Sequence, residues 1–317
     1  MPRNRLLLLL LAAACILLVL AYVFVGLTPE NHGFNFPRRV KIMAAILVVG
    51  AAVGLAAVTF QTVTANHILT PSIMGLDNLY LFLQTVVVFA FGSGQLVMMS
   101  DVPGFVLTLL LMVGSSTALF VCMFRNEERN IYFLVLVGFI CGTVFSGLAD
   151  FMQVVIDPSE YSVLEGRMFA TFNRINVALL GIAALIVAVV AALSVLDFRQ
   201  LDVITLGRDH AINLGVRYRR VVLRTLVATA VLTSAATVLV GPIMFLGILA
   251  VSLGRALFKT HRHSVLVPGT VLVATAVLLL GMFLTERVLH FKTPLSVIIN
   301  FVGGMYFLFL LLRARNT

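Results

Sequence analysis

The fold is decided at residues 201–221, which read LDVITLGRDHAINLGVRYRRV. This polar segment lies between two apolar runs, residues 175–196 before it and residues 221–240 after it. Continuous apolar runs of about 20 residues are typical of membrane-spanning helices, because a helix rises about 1.5 Å per residue and the hydrocarbon core is about 30 Å thick. We therefore predict a membrane span on each side of the segment, with the segment itself outside the membrane.

The composition of the whole chain agrees with a membrane protein. Hydrophobic residues make up 61% of the chain and charged residues 11%, and the mean hydropathy is +1.10. An ordinary soluble domain has about 25% charged residues. The apolar runs are continuous rather than alternating in ten-residue segments, which excludes a β-barrel. We predict an all-α polytopic membrane protein with residues 1–317 in a single transmembrane domain, and an uncleaved first span because its apolar run is too long for a signal peptide.

Ten apolar runs form the predicted bundle. They lie at residues 6–27, 40–60, 78–99, 103–124, 131–154, 175–196, 221–240, 243–258, 265–286 and 294–312. Five runs in each half permit an inverted repeat, because an odd number of spans turns the second half upside down. The eighth run is short, rich in glycine and preceded by Gly241-Pro242, which predicts a broken or partly re-entrant helix.

Lysine and arginine are unequally distributed between the two sides of the predicted bundle. If the N-terminus is cytoplasmic, fifteen of the 22 lysine and arginine residues lie on the cytoplasmic side. Cytoplasmic loops carry an excess of these residues. We therefore predict that both termini are cytoplasmic, and we interpret the net charge of +9 as a topology signal rather than a site for nucleic acid.

Residue types that carry catalysis or bind metals are not grouped in the sequence. The three cysteines lie in apolar runs without a CxxC pair, and the sequence KTHRH at residues 259–263 is typical of a solvated loop. The chain also lacks the GxxxxGK[ST] sequence that cradles nucleotide phosphates. We predict no catalytic residue, no metal site and no cofactor, so that the chain is not itself an enzyme.

The positions of the acidic residues bear on how transport would be driven. They lie at the ends of the apolar runs or between them, rather than at span centres. A carrier driven by protons or sodium usually has an ionisable group deep in the bundle. The pattern favours a conduit driven by another protein. A ten-span secondary carrier of the drug/metabolite transporter type is the alternative, and a membrane enzyme or scaffold is a third class.

The longest predicted cytoplasmic connection, residues 198–220, contains signals for a short helix. Thr205 is a suitable N-cap, Asp209 lies in the first turn, and Gly215 is a suitable C-terminal stop. We predict a helix of about nine residues with Gly207, Ala211 and Leu214 on one face. Such a helix either fits a groove of another protein or lies on the bilayer surface, and geometry alone leaves both open.

Four segments resemble one family, in order along the chain. Residues 201–221 are similar to the coupling-helix segment of the permeases of iron–siderophore and vitamin B12 ABC importers, which have the type II import fold. The resemblance rests on Leu206-Gly207 and Leu214-Gly215, and three further segments support it. These are QTVTANHILTPSIMG at 61–75, GPIMFLGIL at 241–249 and NFVGGMYFLFLL at 300–311.

The sequence departs from the family pattern at three of these places. Arg208-Asp209 replaces a pair of glutamates, His67 follows Asn66 where the family has proline, and residues 247–255 lack the family's Pro-His. With these departures the sequence most resembles the branch that handles catecholate or petrobactin-type siderophores.

The resemblance implies a function, a location and a set of partners. It implies a permease subunit of an ABC importer that moves a ferric siderophore, of catecholate type, across the bacterial inner membrane. The expected partners are a second permease subunit, a paralogue that would make a heterodimer, two ATP-binding subunits that hydrolyse ATP, and an extracytoplasmic siderophore-binding protein.

The resemblance and the predicted topology together suggest roles for individual residues. Contact with the ATP-binding subunits is expected at Leu206, Gly207, Arg208, Asp209, Ala211, Leu214 and Gly215. Docking of the binding protein is expected at Arg38, Arg39, Glu160, Glu165 and Arg167, although the two arginines also suit plain interfacial anchoring. Asn173 and Asn176 are candidates for the translocation path, with helix capping as the other role for Asn173.

Overall fold

The computed structural model describes residues 2–25, 32–94, 102–123, 131–173 and 175–315. Within these residues all regular secondary structure is helical, so the predicted all-α class is confirmed. The helices are α1 Pro2–Phe24, α2 His32–Val63, α3 Asp77–Phe91, α4 Val102–Met123, α5 Ile131–Val155, α6 Pro158–Met168, α7 Val177–Ile204, α8 Arg208–Asn213, α9 Tyr218–Val240, α10 Leu246–Phe258, α11 His263–Arg287 and α12 Leu295–Arg315. A π-helical turn, Ser72–Leu76, leads directly into α3.

Ten of these helices correspond to the ten predicted apolar runs. Eight are long and apolar enough to cross a membrane, and α10 and the Leu295–Phe309 part of α12 are shorter apolar helices. Five of the ten precede α6 and five follow it, which keeps the odd number per half that an inverted repeat requires. The predicted span ends at residues 27, 99 and 124 lie outside the described residues.

The centre of the bundle is formed by α2, α9 and α11. In the most apolar 18-residue stretch of each of these helices, 72%, 67% and 61% of the residues are buried, compared with 17% in α1, α5 and α7. Gly50 of α2 lies so close to Thr275 of α11 that a Cβ would be 2.5 Å from the threonine hydroxyl. Small residues allow helix backbones to approach closely in a membrane, where lipid is as apolar as the side chains. The outer faces of α1, α5 and α7 remain available to lipid or another subunit.

The break between α9 and α10 lies at Gly241-Pro242, and the eighth run then forms the single short helix α10. Gly241 has a φ of 102°, and a Cβ there would lie 2.9 Å from the Cα of Ala170. The next residue is Pro242, and α10 begins only at Leu246. Because both the positive φ and the close backbone contact require glycine, the chain turns here and leaves α10 with 13 residues.

Long-range contacts define the two ends of the bundle, which we name the α8 end and the α6 end. At the α8 end, the ring of His263 contacts Asp202 and the ring of His67 contacts Arg255. At the α6 end, the backbone N–H of Thr171 donates to the carbonyl of Val240 over 2.8 Å. The connections at 64–71, 205–217 and 259–262 therefore lie together, opposite those at 156–176 and 241–245.

Candidate functional site

The polar segment forms a shorter helix than predicted, and its start was predicted wrongly. Thr205 ends α7, because its N–H donates to the carbonyl of Leu201 over 3.2 Å and its hydroxyl donates to that of Asp202 over 2.6 Å. The N-cap of α8 is Gly207, at a φ of 104°, and α8 has six residues. Apolar residues continue at helical spacing in α7 as far as Ile204, so that helix extends beyond the predicted end at residue 196.

The end of α8 is as predicted from Leu214-Gly215. Gly215 has a φ of 82°, and its N–H donates to the carbonyl of Ile212 over 2.9 Å. The N–H of Val216 donates back to the carbonyl of Ala211 over 3.0 Å. This left-handed cap satisfies carbonyl groups that a short helix would otherwise leave without donors.

One face of α8 is buried in the bundle. Ala211 is completely buried and packs in an apolar cluster with Leu201, Ile204, Val222 and Leu226. Ala211 was predicted to share one face with Gly207 and Leu214, but it is buried whereas those two residues are exposed. The methyl side chain allows α8 to pack directly against α7 and α9, so Ala211 cannot contact another subunit in this conformation.

The opposite face of α8 and its flanks form an exposed surface with an apolar component. Leu206, Ile212 and Leu214 are 59%, 48% and 64% exposed. Gly207, Arg208 and Asp209 are exposed beside them. Ile212 was not among the residues predicted to contact the ATP-binding subunits, although an isoleucine within a polar stretch is itself a signal of an apolar contact. We call this surface, Leu206–Asp209 with Ile212 and Leu214, the α8 surface.

A buried histidine, His263, connects the last turn of α7, which precedes α8, to the centre of the bundle. The backbone N–H of His263 donates to Oδ1 of Asp202 over 2.7 Å, and its ring Nδ1 lies 2.6 Å from the same oxygen. The ring Nε2 lies 2.8 Å from the hydroxyl oxygen of Thr62. These contacts connect the end of α7 to the first residue of α11 and the last turn of α2. The sequence predicted a solvated KTHRH loop, yet His263 is 1% exposed.

A second contact at the α8 end holds the loop between α2 and the π-helical turn. The ring Nδ1 of His67 contacts the guanidinium of Arg255, near the end of α10. Within the loop, Oδ1 of Asn66 accepts from the N–H of Ile68 over 2.9 Å. Partial burial, and next the positive charges of Arg255 and His261, lower the pKa of His67. Because a neutral ring can accept from Arg255, the contact favours uncharged His67.

The two predicted docking arginines at the α6 end lie in different environments. Arg39 is 6% exposed, donates to the carbonyls of Val23 and Val25, and pairs with Glu286 over 3.3 Å. Tyr22 donates to the other oxygen of Glu286. Arg39 therefore caps the end of α1 inside the bundle, and we leave it out of the docking surface.

Arg38 instead lies half-buried at the surface of the α6 end. Its guanidinium donates to Oδ1 of Asn173 over 3.2 Å and lies 5.4 Å from the ring centre of Phe291. On α6, Glu165 is exposed, whereas Glu160 and Arg167 are half-buried. The structure thus brings Arg38 and Asn173 together, although the sequence assigned them different roles.

The two asparagines predicted for the translocation path lie at the surface near the start of α7. Oδ1 of Asn176 accepts from the N–H of Ala178 over 2.9 Å, so Asn176 is the N-cap of α7. The capping role that the sequence suggested for Asn173 belongs to Asn176.

The interior of the bundle contains polar side chains that the sequence analysis did not single out. Within the described ranges, Gln61 of α2, Thr229 and Ser234 of α9 and Thr270 of α11 have buried polar atoms without a hydrogen-bond partner. An unpaired buried polar group costs about 1–3 kcal/mol. Among the residues that the structure describes, no three His, Cys, Asp or Glu side chains are placed to share a metal ion.

Comparison with known proteins identifies the family. The profile of the FecCD transport family matches residues 6–313. The chain belongs to the FecCD transport family. The chain is 45% identical over 315 residues to the petrobactin import system permease protein YclO of Bacillus subtilis, with 99% of each chain covered. It is 33% identical over 278 residues to the petrobactin import system permease protein FatC of Bacillus anthracis, covering 88% of this chain and 78% of FatC.

The FecCD chain also shares its fold with a solved transporter structure. That structure, described as an inward-facing metal-chelate type ABC transporter, has a TM-score of 0.84 at 20% identity, with 97% of this chain and 99% of that chain covered. At this identity the likeness concerns the fold alone. The predicted resemblance to iron–siderophore permeases and the predicted type II import fold are confirmed, and the chain is a multi-pass membrane protein.

Proposed function

We propose that this FecCD family chain is a permease subunit of an ABC importer for a ferric siderophore of the catecholate, petrobactin-like type. The observation that carries the proposal is the 45% identity to a petrobactin import permease across 99% of both chains. This match includes every predicted span.

The α8 surface is the contact for one of the two ATP-binding subunits. Its exposed leucines and Ile212 lie beside a glycine and two charged residues, which is the mixture of apolar centre and polar rim found at protein interfaces. The chain has no GxxxxGK[ST] sequence, so ATP hydrolysis belongs to those partners. Closure of the partners would push on α8.

The rest of the importer follows from the same proposal. A second permease subunit, a paralogue in a heterodimer, packs against an exposed apolar face of the bundle. An extracytoplasmic siderophore-binding protein docks at the α6 end near Arg38, Glu165 and the half-buried Glu160 and Arg167. The protein lies in the bacterial inner membrane with both termini in the cytoplasm.

Asn173 and Asn176 are proposed to lie at the outer mouth of the translocation path, where both side chains are exposed at the α6 end.

Uptake in cells tests the proposal directly. Cells that lack this gene, when supplied with iron-55 bound to one siderophore at a time, should lose uptake of the catecholate class and keep uptake of the hydroxamate class. Plasmid copies of the wild type and of a variant with Leu206→Glu serve as positive and negative complementation. Normal uptake of every ferric siderophore, or restored uptake without any ATP-binding partner, would overturn the proposal.

A further inference from the structure

We propose that the groove between α7 and α9, beside the end of α8, is a binding site for an anionic phospholipid. The groove is partly open and has a volume of about 370 Å³. It is lined by Gln200, Leu214, Gly215, Val216, Arg217, Arg220, Val221 and Arg224. A site of this size accommodates a small phosphate-bearing headgroup. The proposal depends on the membrane location of the chain and not on which substrate it transports.

The charges in the groove are suited to an anion. Three arginines line it, and Arg224 pairs with Asp197 of α7 over 3.4 Å. Among the described residues, the guanidinium groups of Arg217 and Arg220 have no acidic partner. Two uncompensated guanidinium groups therefore face a shared space, and guanidinium groups match phosphate geometry by forked hydrogen bonds.

The groove joins the loop that follows α8 to the first two turns of α9, which would lie at the membrane surface. Arg224 lies six residues into α9 from its first residue, Tyr218, which corresponds to about 9 Å along the helix axis. Gln200 lies one turn before the end of α7 at Ile204. Long arginine side chains at this depth reach the headgroup layer.

Apolar residues continue the groove in the direction of the bilayer interior. On α7, Leu193 and Leu196 precede Gln200 by seven and four residues, and therefore share its face. They are 54% and 67% exposed. On α9, Val227 follows Arg224 by three residues and is also exposed.

The groove therefore has cationic side chains at one end and exposed apolar side chains beyond them, and this arrangement fits an amphiphilic ligand. The phosphate would lie between Arg217 and Arg220, with an acyl chain along Leu196 and Val227. An acidic surface of an ATP-binding subunit would match the arginines but not the exposed leucines deeper in the span. Basic pockets between transmembrane helices on the cytoplasmic side are known to bind anionic headgroups. The lipid would support the end of α8, because Leu214 and Gly215 form one wall of the groove.

The absence of tryptophan from the chain provides a direct test. The full chain carrying Leu196→Trp is reconstituted in phosphatidylcholine bilayers with a small fraction of brominated phosphatidylglycerol or brominated phosphatidylcholine, and fluorescence quenching is measured. Half of the maximal quenching at this position should need about a fivefold lower fraction of brominated phosphatidylglycerol than of brominated phosphatidylcholine. A second reporter, Leu9→Trp on the exposed face of α1, should show no such preference.

Charge variants separate the groove from general surface charge. Arg220→Gln should lower the preference by about fivefold, whereas Arg220→Lys should keep most of it. Arg199→Gln is the matched control, because Arg199 is exposed beside Gln200 but does not line the groove. Equal quenching by both lipids, or equal loss in Arg199→Gln and Arg220→Gln, would overturn the proposal.

Two further arms distinguish other occupants of the groove. Replacing chloride by inorganic phosphate at equal ionic strength should leave the preference intact, and its loss would show a site for free anions. Adding the ATP-binding subunits or the second permease should leave the quenching in place. Protection from quenching on assembly would show that protein covers the groove, and this result would also overturn the lipid assignment.

Discussion

One carboxylate oxygen of Asp202 contacts two nitrogen atoms of His263, and this pair holds the end of α7 that leads to α8. Oδ1 of Asp202 accepts from the backbone N–H of His263 and contacts its ring Nδ1. The ring is buried beside Phe198, with 6.2 Å between ring centres. Asp202 lies in the last turn of α7, so this contact holds the helix end from which the chain continues into α8.

Removal of the carboxylate should therefore uncouple α8 from the bundle. Asp202→Ala should destabilise the chain by about 1–3 kcal/mol, since buried N–H groups lose their acceptor. In the reconstituted importer, siderophore transported per ATP hydrolysed should fall as well. Thermal unfolding and this ratio are the measurements. The control is Asp150→Ala, which removes an exposed carboxylate outside the network. Proportional loss of transport and hydrolysis, with the ratio unchanged, would contradict a role in coupling.

His67 should give the chain a pH-dependent stability near the α8 end. Its pKa is lowered in the folded state, so the unfolded chain binds more protons as the pH falls. The contribution of His67 is therefore complete above its unfolded pKa of about 6.5 and is lost as the pH falls through the lower folded value. The unfolding temperature of the wild type should drop more between pH 7 and pH 5 than that of His67→Gln. Parallel curves for the two proteins would show that His67 has no part in this dependence.

At the scale of elements, α8 shows both what sequence signals can predict and where they fail. Gly215 was predicted as its end because a left-handed cap needs glycine, which is a local requirement. Its start was not predicted correctly, because a threonine suits the C-terminal end of α7 as well as an N-cap. The burial of Ala211 depends on α9, which is distant in sequence, so only the folded structure places that residue inward.

The α8 surface should determine whether the ATP-binding subunits stay bound. Leu206→Glu would bury an unpaired carboxylate in the apolar centre of that surface when the subunits assemble, and such a charge costs about 3–5 kcal/mol. Retention of the ATP-binding subunits during purification should drop by more than about tenfold, while membrane insertion is unchanged. Val163→Glu provides a matched control, because Val163 is 41% exposed on α6 at the opposite end. Equal retention by both variants would remove the coupling role from α8.

At the scale of the whole molecule, the number of apolar helices was predictable and the contacts between them were not. Each span is a contiguous apolar run, so hydropathy alone reveals it. The ion pair between Arg39 and Glu286 joins residues 247 positions apart, and a single sequence contains no signal for such a pairing. For the same reason Arg39 was predicted as a docking residue, although its burial follows from the packing of α1, α2 and α11.

The distribution of basic residues makes one further prediction about the molecule, its orientation. The excess of lysine and arginine on the side of residues 198–220 predicts that the α8 end lies in the cytoplasm. In a variant without its native cysteines, Glu165→Cys should react with a membrane-impermeant thiol reagent in intact spheroplasts. Asp209→Cys should react only after the membrane is permeabilised. Both positions are exposed in the structure, so side-chain burial cannot explain a difference between them. Labelling of Asp209→Cys in intact spheroplasts, with protection of Glu165→Cys, would invert the topology and move α8 away from any cytoplasmic ATPase.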